Sequence, residues 1–351
     1  MNHLYLHCRP GFEKECAAEI TELATAAEIF GYSKTKEGQA LVTYVTHEQD
    51  GALQLLNKLS FKRLIFVRQW FAGPAPVNNM DPTDRLSPLL QALKDLPRPA
   101  EWWTETCDTN DGKALSGLAK KFSGPFERAL QKNRLLDKKS PWRLHLLFLA
   151  GTTALLGVAP LNNSAAWSMG IARLRQPSAA PSRATLKLEE AWHHFIPAEQ
   201  WEERLAGSMR GVDLGAAPGG WTWQLVKRGM FVEAVDNGPM AQSLMDSGQV
   251  THHAVDGFVF EPKRSVHWLV CDIADKPARV ANMIGHWAEN LWFEEAVFNL
   301  KLPMKQRYAE VKKLEQRLWE RLKSLPCKAE LSFKQLYHDR EEVTGHIRLY
   351  R

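Results

Sequence analysis

Gly211-Val212-Asp213-Leu214-Gly215-Ala216-Ala217-Pro218-Gly219-Gly220-Trp221-Thr222 has the composition of a buried strand that runs into a glycine-rich turn and then a helix. Glycines at such a turn let the backbone reverse sharply and let a ligand lie against main-chain amides. The helix expected over 221–228 presents free N–H groups and a partial positive charge to that ligand. The spacing misses the dinucleotide pattern G-x-G-x-x-G, because Ala217 stands where its second glycine belongs. A pyrophosphate is therefore disfavoured. A cofactor with an adenosine and a small carboxylate, such as S-adenosylmethionine, fits better.

Outward from this turn, apolar runs recur and end in polar residues. The strand at 231–235 ends in Asp236, the stretch 252–255 in Asp256, the strand at 266–270 in Cys271-Asp272, and the strand at 296–300 in Lys301. Helical patterns lie between them at 279–292 and 305–325, one precedes them at 185–194, and a hairpin over 328–337 and 343–350 closes the chain. Alternating strands and helices predict an α/β fold with a doubly wound, mostly parallel sheet, one strand made antiparallel by the hairpin. In such sheets the carboxyl ends of the strands converge on one crevice. Asp236 follows Gly215 by 21 residues, a distance that suits a carboxylate on the hydroxyls of a cofactor ribose. Asp236-Asn237-Gly238 is equally a turn sequence. Asp256-Gly257 reads either as a turn or as a contact to adenine. Asp272 and Lys301 form a sharper pair, since a lysine at a buried strand end needs a partner. Lys187 and Glu342 are candidates to join them, although Lys187 alone reads as an exposed helical lysine.

The first half reads differently. Strands at 4–8, 39–45 and 64–70 alternate with helices at 12–24 and 49–59, which predicts a small α+β sandwich. A Pro/Asn-rich connector at 74–82 leads to a helix at 84–96, a strand at 102–106 and a hairpin over 142–149 and 153–158. Between them lies a basic run: Lys113, Lys120, Lys121, Arg128, Lys132, Arg134, Lys138, Lys139 and Arg143, interleaved with Phe122, Phe126 and Trp142. It reads either as a phosphate- and base-binding face or as a solvated helix whose aromatics point into the core. Residues 161–181, rich in Asn, Ser, Gly and Pro, read as a linker.

Composition narrows the class. In 351 residues, 44% are hydrophobic and 24% charged, as in ordinary globular proteins of two or three domains. The net charge of +5 permits a nucleic-acid partner. Five scattered cysteines with no C-x-x-C argue against disulfides or zinc and suit a reducing cytoplasm. No membrane span is expected, because the longest apolar run, 144–160, is broken by His145, Gly151, Thr152 and Thr153.

Ser182-Arg183-Ala184-Thr185-Leu186-Lys187-Leu188-Glu189-Glu190, the turn Asp213–Trp221, Asp272 and Asn299-Leu300-Lys301 together resemble the FtsJ-like 2′-O-ribose methyltransferases. Phe298-Asn299-Leu300-Lys301-Leu302-Pro303-Met304, Gln335-Leu336-Tyr337-His338-Asp339-Arg340-Glu341-Glu342-Val343-Thr344 and Cys8-Arg9-Pro10-Gly11-Phe12-Glu13 are similar to the members that act on a cytidine of bacterial 23S rRNA. The resemblance spans essentially the whole chain. It implies a ferredoxin-like subdomain (1–72), a THUMP RNA-binding domain (73–160), a linker (161–181) and a Rossmann-fold methyltransferase with a mostly parallel seven-stranded sheet (182–351). It implies a catalytic set of Lys301, Asp272, Lys187 and Glu342, the last preferred over its neighbour Glu341. Cofactor contacts would fall on Ala217, Pro218, Gly219, Gly220, Asp236, Asp256 and Asp272, and at Ala184. Relatives often have serine at Ala184 and cysteine at Ala217, so contacts at both would be through the main chain. The implied reaction is attack of a cytidine 2′-hydroxyl on the methyl of S-adenosylmethionine, with Lys301 as base and no metal. The implied partner is 23S rRNA, naked or early in assembly, in the cytoplasm and away from membranes. A THUMP-linked base methyltransferase is the nearest rival. Such enzymes carry Asn/Asp-Pro-Pro-aromatic where this chain has Asp272-Ile273-Ala274-Asp275-Lys276-Pro277. A non-catalytic ribosome-assembly factor that binds RNA is a second rival, and an NAD-dependent dehydrogenase is disfavoured by Ala217.

Overall fold

The computed structural model describes residues 1–350, which divide into two units, Met1–Ala172 and the chain from Arg173 onward. In the first unit, β1 (His3–His7), α1 (Glu13–Ala26), β2 (Gly31–Thr35), β3 (Leu41–Thr46), α2 (Gly51–Lys58) and β4 (Gln69–Gly73) follow one another in the β-α-β-β-α-β order of a ferredoxin-like unit. There follow α3 (Leu86–Ala92), β5 (Glu101–Thr106), α4 (Asn110–Lys132), β6 (Trp142–Ala150) and β7 (Thr153–Pro160). All seven strands form one sheet in the order β2-β3-β1-β4-β7-β6-β5, of which only the β5–β6 pair is parallel. The two halves meet where Ala72 of β4 faces Val158 of β7. Gly73 and Gly157 allow that approach, since a Cβ on either would collide with the carbonyl oxygens of Leu156 and Ala72.

Three sequence expectations shift here. β2 carries no apolar alternation because it is an edge strand with mostly exposed side chains. The strand expected from 64 begins at Gln69, because the Glu19 carboxylate accepts the backbone N–H groups of Ile65 (2.5 Å) and Phe66 (2.9 Å) in place of a strand partner. Residues 161–172 lie against the first sheet. Asn163 accepts from Phe61 N and donates to Leu56 O and Leu59 O, each at 2.8 Å, while Trp70 Nε1 donates to Asn163 O.

The aromatics of the basic run are core residues. Phe126 is buried, Phe122 and Trp142 pack against the same cluster, and Phe122 stacks on Phe126 at 5.9 Å. The Phe126 ring is therefore withheld from base stacking, and those of Phe122 and Trp142 are partly so. The cations of α4, namely Lys113, Lys120, Lys121, Arg128 and Lys132, are exposed, as are Arg134, Lys138 and Lys139 beyond it. Arg143 is the exception: it is buried over the Trp103 ring at 3.8 Å and paired with Glu101.

The second unit runs α5 (Thr185–Phe195), α6 (Trp201–Arg204), β8 (Arg210–Leu214), α7 (Gly220–Lys227), β9 (Phe231–Val235), α8 (Gln242–Met245), β10 (Val250–His253), β11 (Val266–Cys271), α9 (Pro277–Glu289), β12 (Phe293–Lys301), α10 (Arg307–Leu322), β13 (Lys328–Lys334) and β14 (Glu342–Tyr350). Its strand order is β10-β9-β8-β11-β12-β14-β13. Every pair is parallel except those of β14, which runs antiparallel to both β12 and β13. Continuous apolar burial of β8, β11 and β12 marks a sheet covered on both faces. Trp192 of α5, Trp221 and Leu225 of α7 and Trp268 and Val270 of β11 share one core cluster. Strand order reverses at β8, flanked by β9 and β11, so the glycine turn sits at the switch point where such sheets open a crevice. No helix of the described residues is long and apolar enough to cross a membrane.

Candidate active site

The glycine turn leaves β8 with Gly215 at φ +79° and reaches α7 with Gly219 at φ +114°, backbone that side chains with a Cβ rarely adopt. A Cβ on Gly219 would strike Leu244, and one on Gly220 would strike the Ser182 hydroxyl. These contacts put the 182–185 turn, with Ala184, directly against the first turn of α7. Ser182 Oγ and Thr185 Oγ1 are buried there without a hydrogen-bond partner among the described residues. Asp236, at the end of β9, accepts Ala217 N–H at 3.0 Å on one oxygen and Gly238 N–H at 2.7 Å on the other. It is thus a turn aspartate and a neighbour of the glycine turn at once, and each oxygen keeps a second lone pair. Asp256 is exposed and accepts Phe258 N–H at 2.9 Å. The following Gly257 packs against Leu214, Gly215 and Ile273, which brings the Asp256 loop to the same end of the sheet.

Asp213, one turn deeper, is fully buried and accepts Thr222 Oγ1 at 2.6 Å, tying β8 to the start of α7. Burial raises its pKa to about 7, with the nearby Asp272 and Asp236 charges adding to the rise.

Asp272 follows β11 directly. Lys187 of α5 stands 3.3 Å from both of its oxygens and 2.8 Å from Glu342 Oε2. Burial pushes the Lys187 pKa down, but Asp272 and Glu342 outweigh it and the net shift is upward. Lys187 is therefore an ammonium held between two carboxylates. Burial raises the Asp272 pKa, opposed by Lys187 and by Asn299 Nδ2, which donates to Asp272 at 2.8 Å. Glu342 is the residue that faces Lys187, whereas Glu341 reaches away to Arg307 at 2.9 Å.

Lys301 differs from the expectation of a buried, paired lysine. It is exposed, and among the described residues its ammonium makes no hydrogen bond or ion pair. Asp272 pairs with Lys187 instead. Lys301 faces Glu342 across the β12–β14 ladder, so the two side chains share one face of the sheet. The same face, two residues back, carries Asn299 opposite Thr344. Asn299 was legible as a site residue: an amide in an apolar strand must find partners, and period-2 alternation aligns it with Lys301. The loop before β14 is fixed by Glu190 of α5, which accepts Tyr337 N–H (2.7 Å) and His338 N–H (2.9 Å) and meets His338 Nδ1 at 2.6 Å. One helix, α5, thereby supplies both the lysine of the cluster and the anchor of its last strand. No group of three or more His, Cys, Asp or Glu among the described residues is arranged to hold a metal.

A doubly wound sheet in which β14 is inserted antiparallel beside β12, with a glycine turn at its switch point, belongs to the class of Rossmann-type methyltransferases. Family models agree along the chain: the RlmM ferredoxin-like domain matches residues 1–71, the N-terminal region of ribosomal RNA large subunit methyltransferase M matches 84–160, and the FtsJ-like methyltransferase matches 180–327. Ribosomal RNA large subunit methyltransferase M of Cellvibrio japonicus is 63% identical over 350 residues, covering 100% of both chains. The protein of that name from Pseudomonas fluorescens is 54% identical over 99% of this chain and 97% of its own. That from Saccharophagus degradans is 54% identical over 98% of each. The chain belongs to the family of ribosomal RNA large subunit methyltransferase M, and so is an rRNA methyltransferase.

Proposed function

We propose that the chain methylates the ribose 2′-hydroxyl of a cytidine in the peptidyl-transferase loop of 23S rRNA, using S-adenosylmethionine and acting in the cytoplasm on naked or incompletely assembled RNA. Family membership supports the RNA and the methyl transfer. The observation that carries the chemistry is the lysine–carboxylate cluster: a protonated Lys187 locked between Asp272 and Glu342, beside a Lys301 free of carboxylate partners.

The residues around the glycine turn fit the cofactor. Gly219 and Gly220 add no side chain of their own at the α7 first turn, the Asp236 oxygens retain acceptor capacity, and two buried hydroxyls, Ser182 and Thr185, lack partners among the described residues. Ala184, Ala217, Pro218, Gly219 and Gly220 would hold it through the backbone, Asp236 at its ribose, Asp256 at its adenine and Asp272 at the reacting end. When bound, it supplies an electrophilic methyl group. Lys301, in its neutral amine form, takes the proton from the 2′-hydroxyl, whereas Lys187 is held as an ammonium between two carboxylates. Lys187 and Asp272 fix the approach of the ribose, and Glu342 holds Lys187 in line. A hydroxyl this weakly acidic gains at least as much from alignment as from the base. We assign residues 1–72 and 73–160 to ferredoxin-like and THUMP parts that bind RNA, and 182–351 to chemistry.

Transfer of labelled methyl to protein-free 23S rRNA, followed by nucleoside analysis, tests this reading. Label in 2′-O-methylcytidine is expected. Label on a base would assign the chain to base methylation instead.

A further inference from the structure

Behind the cluster runs a buried chain of side chains that the reaction as described does not use. Asn299 Nδ2 donates to Asp272 Oδ1 at 2.8 Å, Thr344 Oγ1 lies 2.8 Å from Asn299 Oδ1, and Asp339 Oδ2 lies 3.0 Å from Thr344 Oγ1. Asp339 and Thr344 are fully buried and Asn299 nearly so. We infer that Asp339 is a positioning residue: it enters this chain as a hydrogen-bond donor and, through Thr344 and Asn299, fixes which end of the Asn299 amide meets Asp272.

Proton counting carries the inference. Ionised Asp272 can only accept, so Asn299 must turn its NH₂ toward it and its carbonyl oxygen toward Thr344. That oxygen can only accept, so the single Thr344 hydroxyl proton points at Asn299. Thr344 Oγ1 then has lone pairs alone to offer Asp339. An ionised Asp339 would face them across 3.0 Å with no proton between, while its Oδ1 is buried without a partner. A proton on Asp339 Oδ2 removes the conflict. It points at Thr344, and the same oxygen keeps a lone pair for the Leu336 N–H at 2.9 Å. The surroundings agree in sign. Burial raises the Asp339 pKa well above the usual carboxylate range. The Leu336 N–H and Lys187 oppose that rise, while Glu190 of α5 and Glu342 of β14 add to it. Asp272 is faced by Lys187 of α5, Asn299 of β12, Glu342 of β14 and Asp213 of β8. Among these, the Asn299 N–H is a partner that opposes the upward push of burial on the Asp272 pKa. If Asn299 lost its orientation, Asp272 would take up a proton at higher pH.

The inference rests on the role proposed for Asp272, and the measurements separate the two. In the full-length protein, infrared difference spectra of wild type against Asp339→Asn report a protonated carboxyl directly. A carboxylic C=O band at neutral pH that vanishes in the variant is expected. Its absence would overturn the inference whatever the kinetics show. Thr344→Val, which keeps the shape and deletes the hydroxyl, should lower kcat about tenfold, as loss of one buried hydrogen bond does. KM values for RNA and S-adenosylmethionine should stay within about twofold, and the acid limb of the kcat profile should move to higher pH. Thr344→Ser should restore both. An unmoved acid limb in Thr344→Val would overturn it. Wild-type turnover in Asp272→Asn would instead remove Asp272 from the reaction while leaving the infrared result intact.

Discussion

Two lysines of the same cluster have opposite surroundings, and the proposed chemistry rests on the difference. Lys187 is partly buried and paired twice, so its charge is locked, whereas Lys301 is exposed and unpaired at the end of β12. Lys301→Ala should cut methyl transfer by roughly a hundredfold or more while S-adenosylmethionine affinity, read by calorimetry, holds. Turnover like wild type would remove Lys301 from the reaction. Asp213 permits a second prediction at this scale. Its folded pKa of about 7 lies above its ordinary value of 3.8, so between these two pH values the unfolded chain has lost the Asp213 proton and the native chain has not. Stability from this group is present in acid, declines as pH rises through that window and levels off above pH 7. The stability of Asp213→Asn relative to wild type should therefore climb from about pH 4 to about pH 7 and then flatten, by at most a few kcal/mol. Urea denaturation at several pH values measures it, and a flat difference would mean that Asp213 ionises normally.

At the scale of elements, the turn between β8 and α7 has no room for a side chain at Gly219. Gly219 combines φ +114° with a Cβ position blocked by Leu244. Gly219→Ala should weaken S-adenosylmethionine binding about tenfold or more, with the strained backbone costing of order 1–3 kcal/mol. Equilibrium dialysis decides, and unchanged affinity would place the cofactor elsewhere. This turn was legible in the sequence because glycine spacing is a local constraint. So were the strands of the second sheet, since burial on both faces leaves them nearly uniformly apolar. The pairing of Asp272 with Lys187 was not legible, because it depends on how α5 lies over the strand ends, 85 residues away in the chain. Nor was β2, an exposed edge strand whose side chains carry no burial pattern. The aromatics of α4 misled for a related reason. Phe122 and Phe126 lie among lysines in sequence, yet helical spacing sends them inward while the lysines face out.

For the molecule as a whole, the proposed division of labour separates binding from chemistry. Exposed cations of α4 belong to the first unit, and the lysine–carboxylate cluster belongs to the second. With Phe126 buried and Phe122 packed against the same core, what this face chiefly offers RNA is charge, which neutralises phosphates without reading bases. Changing Lys120, Lys121, Arg128 and Lys132 together to Glu should raise the KM for RNA by one to two orders of magnitude at physiological salt, a rough figure for losing about four phosphate contacts. The slope of log affinity against log salt should become shallower by about three to four for the same reason. Because none of these residues takes part in the lysine–carboxylate cluster or the glycine turn, kcat at saturating RNA should hold and S-adenosylmethionine affinity should not change. A loss of kcat with unaltered salt dependence would mean that α4 acts on chemistry rather than on capture. An unchanged KM would assign RNA binding to another face of the first unit.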